Sequence, residues 1–129
     1  MNPTREDYVR AIYILGSRLD RAVREVDIAH HLSLAKSTVS ERIHKLEMQS
    51  IVTKKYGIGL TKKGRLIAQN LTEKHRLIEV FLHDVLGLRQ FEIHSEADKL
   101  EHAFSDKSIK KLRSFLKNPK YCPHGEKIR

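Results

Sequence analysis

A mostly α-helical fold, with a winged helix-turn-helix ahead of a helical second domain, is predicted by three features of this 129-residue chain. Apolar residues recur at three- and four-residue spacing over most of its length, the mark of helices with one buried stripe. Between about residues 25 and 49, two short helical patterns meet at a tight break, and the second carries a polar outer face. A pair of short β-prone runs around a glycine follows at once, and the pattern then turns helical again as far as Leu116. The expected limits are residues 1–62 for the winged helix, 63–118 for the helical domain and 119–129 for a tail or linker.

Thr4 is the expected N-cap of the first helix, with Asp7 three residues on as its acidic partner. Tyr8, Ile12 and Leu15 then place a helix over residues 4–18, and a polar stretch ending at Arg24 connects it onward. Val26, Ile28, Ala29 and Leu32 mark a short second helix, broken at Ser33-Leu34-Ala35. A third runs to about Gln49 with Val39, Ile43 and Leu46 inward. Residues 51–61 read as a hairpin turning at Tyr56-Gly57, the wing. Gly57, Gly59 and Gly64 do not form a phosphate loop, because no buried strand and βαβ unit precede them. Thr61 is expected to cap a long helix that stops at Gly87. Ser95–Phe104 and Ser108–Leu116 are the last two helices expected, and Tyr121–Arg129 has no periodicity.

The chain has 25 Lys and Arg against 16 Asp and Glu, a formal charge of +9. Residues 1–62 carry 11 against 7 and residues 63–129 carry 14 against 9, so both halves are basic. A polyanionic partner is implied, of which nucleic acid is the usual one. The single Cys122 excludes an intramolecular disulfide and fits a reducing compartment. Neither a signal-peptide stretch after Met1 nor a run of about 20 apolar residues is found, so a cytoplasmic protein with no membrane partner is expected.

The outer face of the third helix carries Lys36, Ser37, Thr38, Ser40, Glu41, His44 and Lys45. Short polar side chains reach base edges in the major groove, whereas Lys and Arg mostly hold phosphates. Ser37 and Glu41 are therefore assigned to base reading. Lys36, Ser40, Arg42 and Lys45, with Lys54 and Lys55 of the wing, are assigned to the phosphates.

The second half carries a different chemistry. His75 and Glu79 stand four apart, and His94 is followed by Asp98, Glu101 and His102 at helical spacing. One such pair is common by chance. Two sets on neighbouring helices point to a divalent-metal site. His30, His31, His44, His83 and His124 show no partner pattern, and Cys122 and His124 are read as structural. Two other readings compete: a winged-helix DNA binder without metal control, and a small metal-dependent hydrolase. The absence of a His-Glu-x-x-His pattern or an evident nucleophile argues against an enzyme.

Glu6-Asp7-Tyr8, Asp27-Ile28-Ala29, Ser37-Thr38-Val39-Ser40, Lys45-Leu46-Glu47, the run Leu60–Gly64, the run Lys74–Glu79, Glu101-His102 and Pro123-His124-Gly125 together resemble the diphtheria-toxin-repressor family of metal-dependent transcriptional repressors. The similarity covers essentially the whole chain. It implies a winged helix followed by a helical dimerisation and metal-binding domain, and a homodimer that binds double-stranded palindromic operators when loaded with Fe2+ or Mn2+. It also implies a primary site of Asp7, Asp98, Glu101 and His102 and an ancillary site of His75, Glu79 and His94, one to two ions per subunit. Iron-responsive members carry Met and Cys where this chain has Asp7 and Asp98, so carboxylates replace sulfur and Mn2+ is favoured over Fe2+. Arg10 stands where one branch of manganese sensors has a bridging Glu, which favours two separate sites. Many members continue past Pro-His-Gly into an SH3-like domain that lends ligands to the ancillary site. The wing is shorter than usual by about two residues, and Ala35 holds a helix-cap position often filled by Ser.

Overall fold

The computed structural model describes residues 3–128. In chain order these form helices α1 (Arg5–Arg18), α2 (Glu25–Leu32) and α3 (Lys36–Met48), strands β1 (Val52–Thr53) and β2 (Gly59–Leu60), and helix α4 (Lys62–Val80). A single π-helical turn, Phe81–Val85, then leads to α5 (Gln90–Leu100) and α6 (Asp106–Phe115). The chain divides into two compact units between Gln69 and Asn70, inside α4. The reason is legible in α4 itself: Ala68 and Ile67 pack into the first core, Leu77 and Ile78 into the second.

In the first unit, Thr4 Oγ accepts from the Asp7 amide at 3.3 Å and Asp7 Oδ2 accepts from the Thr4 amide at 2.8 Å, a reciprocal cap. Tyr8, Val9, Ala11 and Ile12 follow as the buried stripe of α1. Helix α2 starts without a side-chain acceptor at its cap; instead Asp27 reaches back to the Arg24 amide at 2.8 Å. Arg21 holds the same carboxylate at 2.7 Å and keeps it well below the usual carboxylate range. Helix α3 starts at Ala35 with no side-chain cap, and Val39, Ile43 and Leu46 anchor it from below.

The wing is a short antiparallel pair, with Val52 opposite Leu60 and Thr53 opposite Gly59. Two glycines explain how it seats. Gly57 has φ +82°, and a Cβ there would lie 2.5 Å from the Ala22 Cβ, beside the point where the Ile58 amide donates to Val23 at 2.9 Å. A Cβ at Gly64 would lie 2.3 Å from the Ile51 carbonyl oxygen. That close approach is fixed by Thr61, whose hydroxyl donates to Ser50 at 2.6 Å and accepts from the Gly64 amide at 3.1 Å. Gly64→Ala is therefore expected to destabilise the protein by about 1–3 kcal/mol through overpacking, read as a lower denaturant midpoint. An unchanged midpoint would show that the start of α4 can slide away from the wing.

The second unit departs from expectation at three places. The long helix ends as an α-helix at Val80, and the Leu86 amide bonds to Phe81 in a wider turn before Gly87. Helix α5 begins at Gln90 rather than Ser95 and ends at Leu100 rather than Phe104. Its start is held by Glu92 reaching back to the Arg89 amide at 3.3 Å. Residues 120–128 are neither a loose tail nor a linker. Ile128 is 1% exposed, its amide donates to Lys120, and the Cys122 amide donates to Glu126, so the segment folds back with Cys122 and Ile128 in the core. Burial of those two side chains offsets the lack of a helix or a long strand.

Candidate metal centre and nucleic-acid interface

Helix α4 puts His75 and Glu79 on the stripe that also buries Leu71, Ile78 and Leu82, so a polar pair sits in an apolar row. His75 uses both ring nitrogens. Nδ1 lies 3.0 Å from Glu101 Oε2 and 3.4 Å from Asp98 Oδ1. Nε2 lies 3.2 Å from His94 Nδ1 and 3.4 Å from Glu79 Oε2. Glu101, the cap residue of α5, is 1% exposed, and His102 brings Nε2 to 3.7 Å from its other oxygen.

Glu79 is the second hub. Its Oε2 is buried with no hydrogen-bond partner among the described residues. Three imidazoles surround that atom, from His124 at 3.3 Å, His75 at 3.4 Å and His94 at 3.7 Å. A buried carboxylate oxygen left without a donor and ringed by ring nitrogens suits a cation. Three groups bring ligand atoms within 4.8 Å of one another: His75, Glu79 and His94; His75, Asp98 and Glu101; and Glu79, Cys122 and His124.

Electrostatics agree with this geometry. Burial works against a charged His75, but the hydrogen bond to Glu101 and the nearby Glu79 carboxylate outweigh it and push the pKa up to about 9. Burial likewise raises the Glu79 carboxyl, and His75, His124 and His94 more than reverse that, leaving it below its ordinary value. The raised His75 value favours a protonated ring between Glu101 and Glu79.

The structure thus brings His75, Glu79 and His94 together, and it places Asp98 and Glu101 on the other side of the same His75 ring. Asp7 lies in the first unit, where its carboxylate serves the α1 cap. Cys122 and His124, read from sequence as structural, stand with Glu79. The one sequence signal for them was the tight Pro123-His124-Gly125 turn, which closes through the Gly125 amide at φ +87°.

On α3, Lys36, Ser37, Thr38, Glu41 and Lys45 are exposed, as are Lys54 and Lys55 of the wing. Ser40 differs: its hydroxyl donates to Glu25 on α2 at 2.6 Å, tying the two helices of the motif together. Arg42 is half-buried, with its guanidinium 5.5 Å above the Tyr8 ring. No helix among the described residues is long and apolar enough to cross a membrane.

Comparison with known proteins places both halves. Residues 1–58 match the family described as iron dependent repressor, N-terminal DNA binding domain, and residues 61–129 match iron dependent repressor, metal binding and dimerisation domain. The HTH-type transcriptional regulator MJ0568 of Methanocaldococcus jannaschii is 34% identical over 118 residues, covering 90% of this chain and 94% of that protein. The iron-dependent repressor IdeR of Mycobacterium tuberculosis is 36% identical over 127 residues, and this chain spans 55% of its length. Among solved structures, the manganese regulator SloR superposes with a TM-score of 0.82 at 45% identity, covering 99% of this chain and 60% of that one.

Proposed function

Because this chain belongs to the iron-dependent repressor family, we propose that it is a metal-activated, DNA-binding transcriptional repressor. In this reading it acts in the cytoplasm as a homodimer, binds palindromic operators and controls genes of metal transport or homeostasis. The observation that carries the metal half is the buried Glu79 oxygen, without a hydrogen bond and ringed by three imidazoles.

The ligand chemistry supports Mn2+ over Fe2+. Asp98, Glu101 and His75 offer oxygen and nitrogen only, a set that suits a hard ion. The proposed primary set is Asp7, Asp98, Glu101 and His102, as the resemblance implies, with His75 beside it as an ancillary ligand. The Asp7 carboxylate accepts from the Thr4 amide at 2.8 Å, which fixes it at the start of α1. A second ion would draw on Glu79 with His75 and His94, or with Cys122 and His124, giving one to two ions per subunit. A bound ion would supply a fixed positive charge beside these carboxylates, and it would require the neutral form of His75 as a ligand. The residues themselves do the rest: Glu101 orients the His75 ring, and Glu79 holds the opposite nitrogen.

On the DNA side, Ser37 and Glu41 are the proposed base readers, with Lys36, Thr38, Arg42, Lys45, Lys54 and Lys55 toward the backbone. Ser40 enters this set as a brace for α3, through Glu25. Lys45→Ala should weaken binding to every duplex and lower the log–log salt slope by about 0.9, with sequence preference unchanged. A changed preference at constant slope would move Lys45 into base reading. The functional reading is tested by mobility shift on the chain's own promoter DNA, with and without Mn2+. Metal-stimulated binding is expected in the wild type and not in Asp7→Ala; equal stimulation in both would remove Asp7 from the switch.

A further inference from the structure

The excess positive charge of the second half is concentrated in one place. Residues 106–120 hold six Lys and Arg against one Asp, an excess of five, which equals the whole excess of residues 63–129 at 14 against 9. Outside that segment the half is electrically balanced. Four cations of this half are in ion pairs: Lys74 with Asp106 at 3.0 Å, Arg76 with Glu126, Lys99 with Glu96, and Arg113 of α6 with Glu73.

Lys107, Lys110 and Lys111 differ. They stand at i, i+3 and i+4 on the exposed face of α6, with Ser114 next in the row, and none is in an ion pair or side-chain hydrogen bond among the described residues. The one acid of the helix, Asp106, is turned away to Lys74 and to Asn70 at 3.4 Å. The opposite face is committed to the core through Ile109 and Leu112. Three like charges on one helical turn repel one another, and no acidic side chain among the described residues forms an ion pair with them.

We propose that this face of α6 is a second, sequence-independent binding surface for the phosphate backbone of nucleic acid, separate from the reading helix α3. Charge complementarity carries the choice of partner. Lys107 to Lys111 spans about 6 Å of helix axis at about 1.5 Å per residue, a cation roughly every 3 Å, against one phosphate per about 3.4 Å along each strand of a duplex. An anionic membrane is the weaker fit, since Ile109 and Leu112 are turned into the core and Phe115 alone of the helix's large apolar side chains is exposed near the lysines, too little apolar surface to insert. The role of nucleic acid as partner rests on the function proposed above. The surface would hold the protein on DNA away from its operator and add affinity where flanking duplex is present.

The test uses the full chain with Lys107→Gln, Lys110→Gln and Lys111→Gln combined. A charge-matched variant, Arg18→Gln with Lys99→Gln and Lys127→Gln, removes three charges elsewhere. Fluorescence anisotropy against a duplex lacking any palindrome, in chelator and over a salt series, reads the sequence-independent term alone. The α6 variant should lose about 2–3 from the log–log salt slope, at about 0.9 per lysine, and at least tenfold in affinity at low salt. The charge-matched variant should lose distinctly less, and the triple Lys→Arg variant should bind as wild type. Equal losses in both Gln variants, or none in either, would overturn the inference. So would binding to phosphatidylserine vesicles that depends on these lysines while duplex binding does not. Failure of the metal-loaded wild type to bind its own operator would instead sink the repressor reading, which this duplex does not probe.

Discussion

In the Glu101→Gln protein, metal-stimulated operator binding is expected to be lost while the chain remains folded. Glu101 is almost fully buried, and its Oε2 lies 3.0 Å from His75 Nδ1. Glutamine keeps the shape and one hydrogen bond but removes the charge that both a metal ion and the protonated His75 require. Loss of an outer-shell partner typically costs about 10–100-fold in metal affinity, and loss of a direct ligand should exceed that. Stripping one member from a buried ion pair can cost about 3–5 kcal/mol. Here His75 escapes most of it by releasing its proton, with Glu79 still 3.4 Å from the other nitrogen. Far-UV circular dichroism in chelator should thus resemble wild type, with thermal unfolding moved to a somewhat lower temperature as the His75 contribution shrinks. Wild-type metal stimulation in this variant would show that Glu101 only orients His75.

Metal binding is expected to release close to one proton per ion at pH 7.5. The metal takes the neutral imidazole, and the metal-free His75 has a pKa pushed up to about 9, so at that pH almost every site must first give up its proton. Apparent affinity should rise by about tenfold per pH unit below 9 and level above it. Without metal the sign reverses. A raised histidine pKa stabilises the fold fully below about 6.5, the ordinary value, and that contribution fades as pH climbs through about 9. Titration calorimetry in two buffers of different ionisation heat measures the proton directly. Release of only about 0.1 proton at pH 7.5, the amount for an ordinary histidine, would contradict the His75 geometry.

The fold was legible where periodicity and caps are conventional. Thr4 with Asp7, the apolar spacing of Tyr8 and Ile12, and the break before α3 all place the first unit as found. The start of α5 was missed because no Ser, Thr, Asp or Asn stands at its cap. The third-position Glu92 closes it from inside, and Ser95, which looks like a cap, lies one turn in. The π-helical turn leaves no mark in the apolar pattern, since one extra residue per turn still presents Leu82 inward. For the candidate centre, helical spacing exposes His75 with Glu79 and Asp98 with Glu101. It cannot expose Cys122 and His124, whose place beside Glu79 comes from a short fold-back without periodicity. Nor does spacing show that a single ring, His75, stands between the two ligand sets.

The most direct test of the central claim is fluorescence-anisotropy titration of operator DNA from the chain's own promoter region, in chelator, then Mn2+, then anaerobic Fe2+. Metal-activated repression through the His75–Glu79–Glu101 centre predicts weak, salt-sensitive binding in chelator and tight binding with Mn2+, with Fe2+ the poorer activator. Equal, tight binding in all three conditions would contradict it, since DNA affinity would then be independent of the centre.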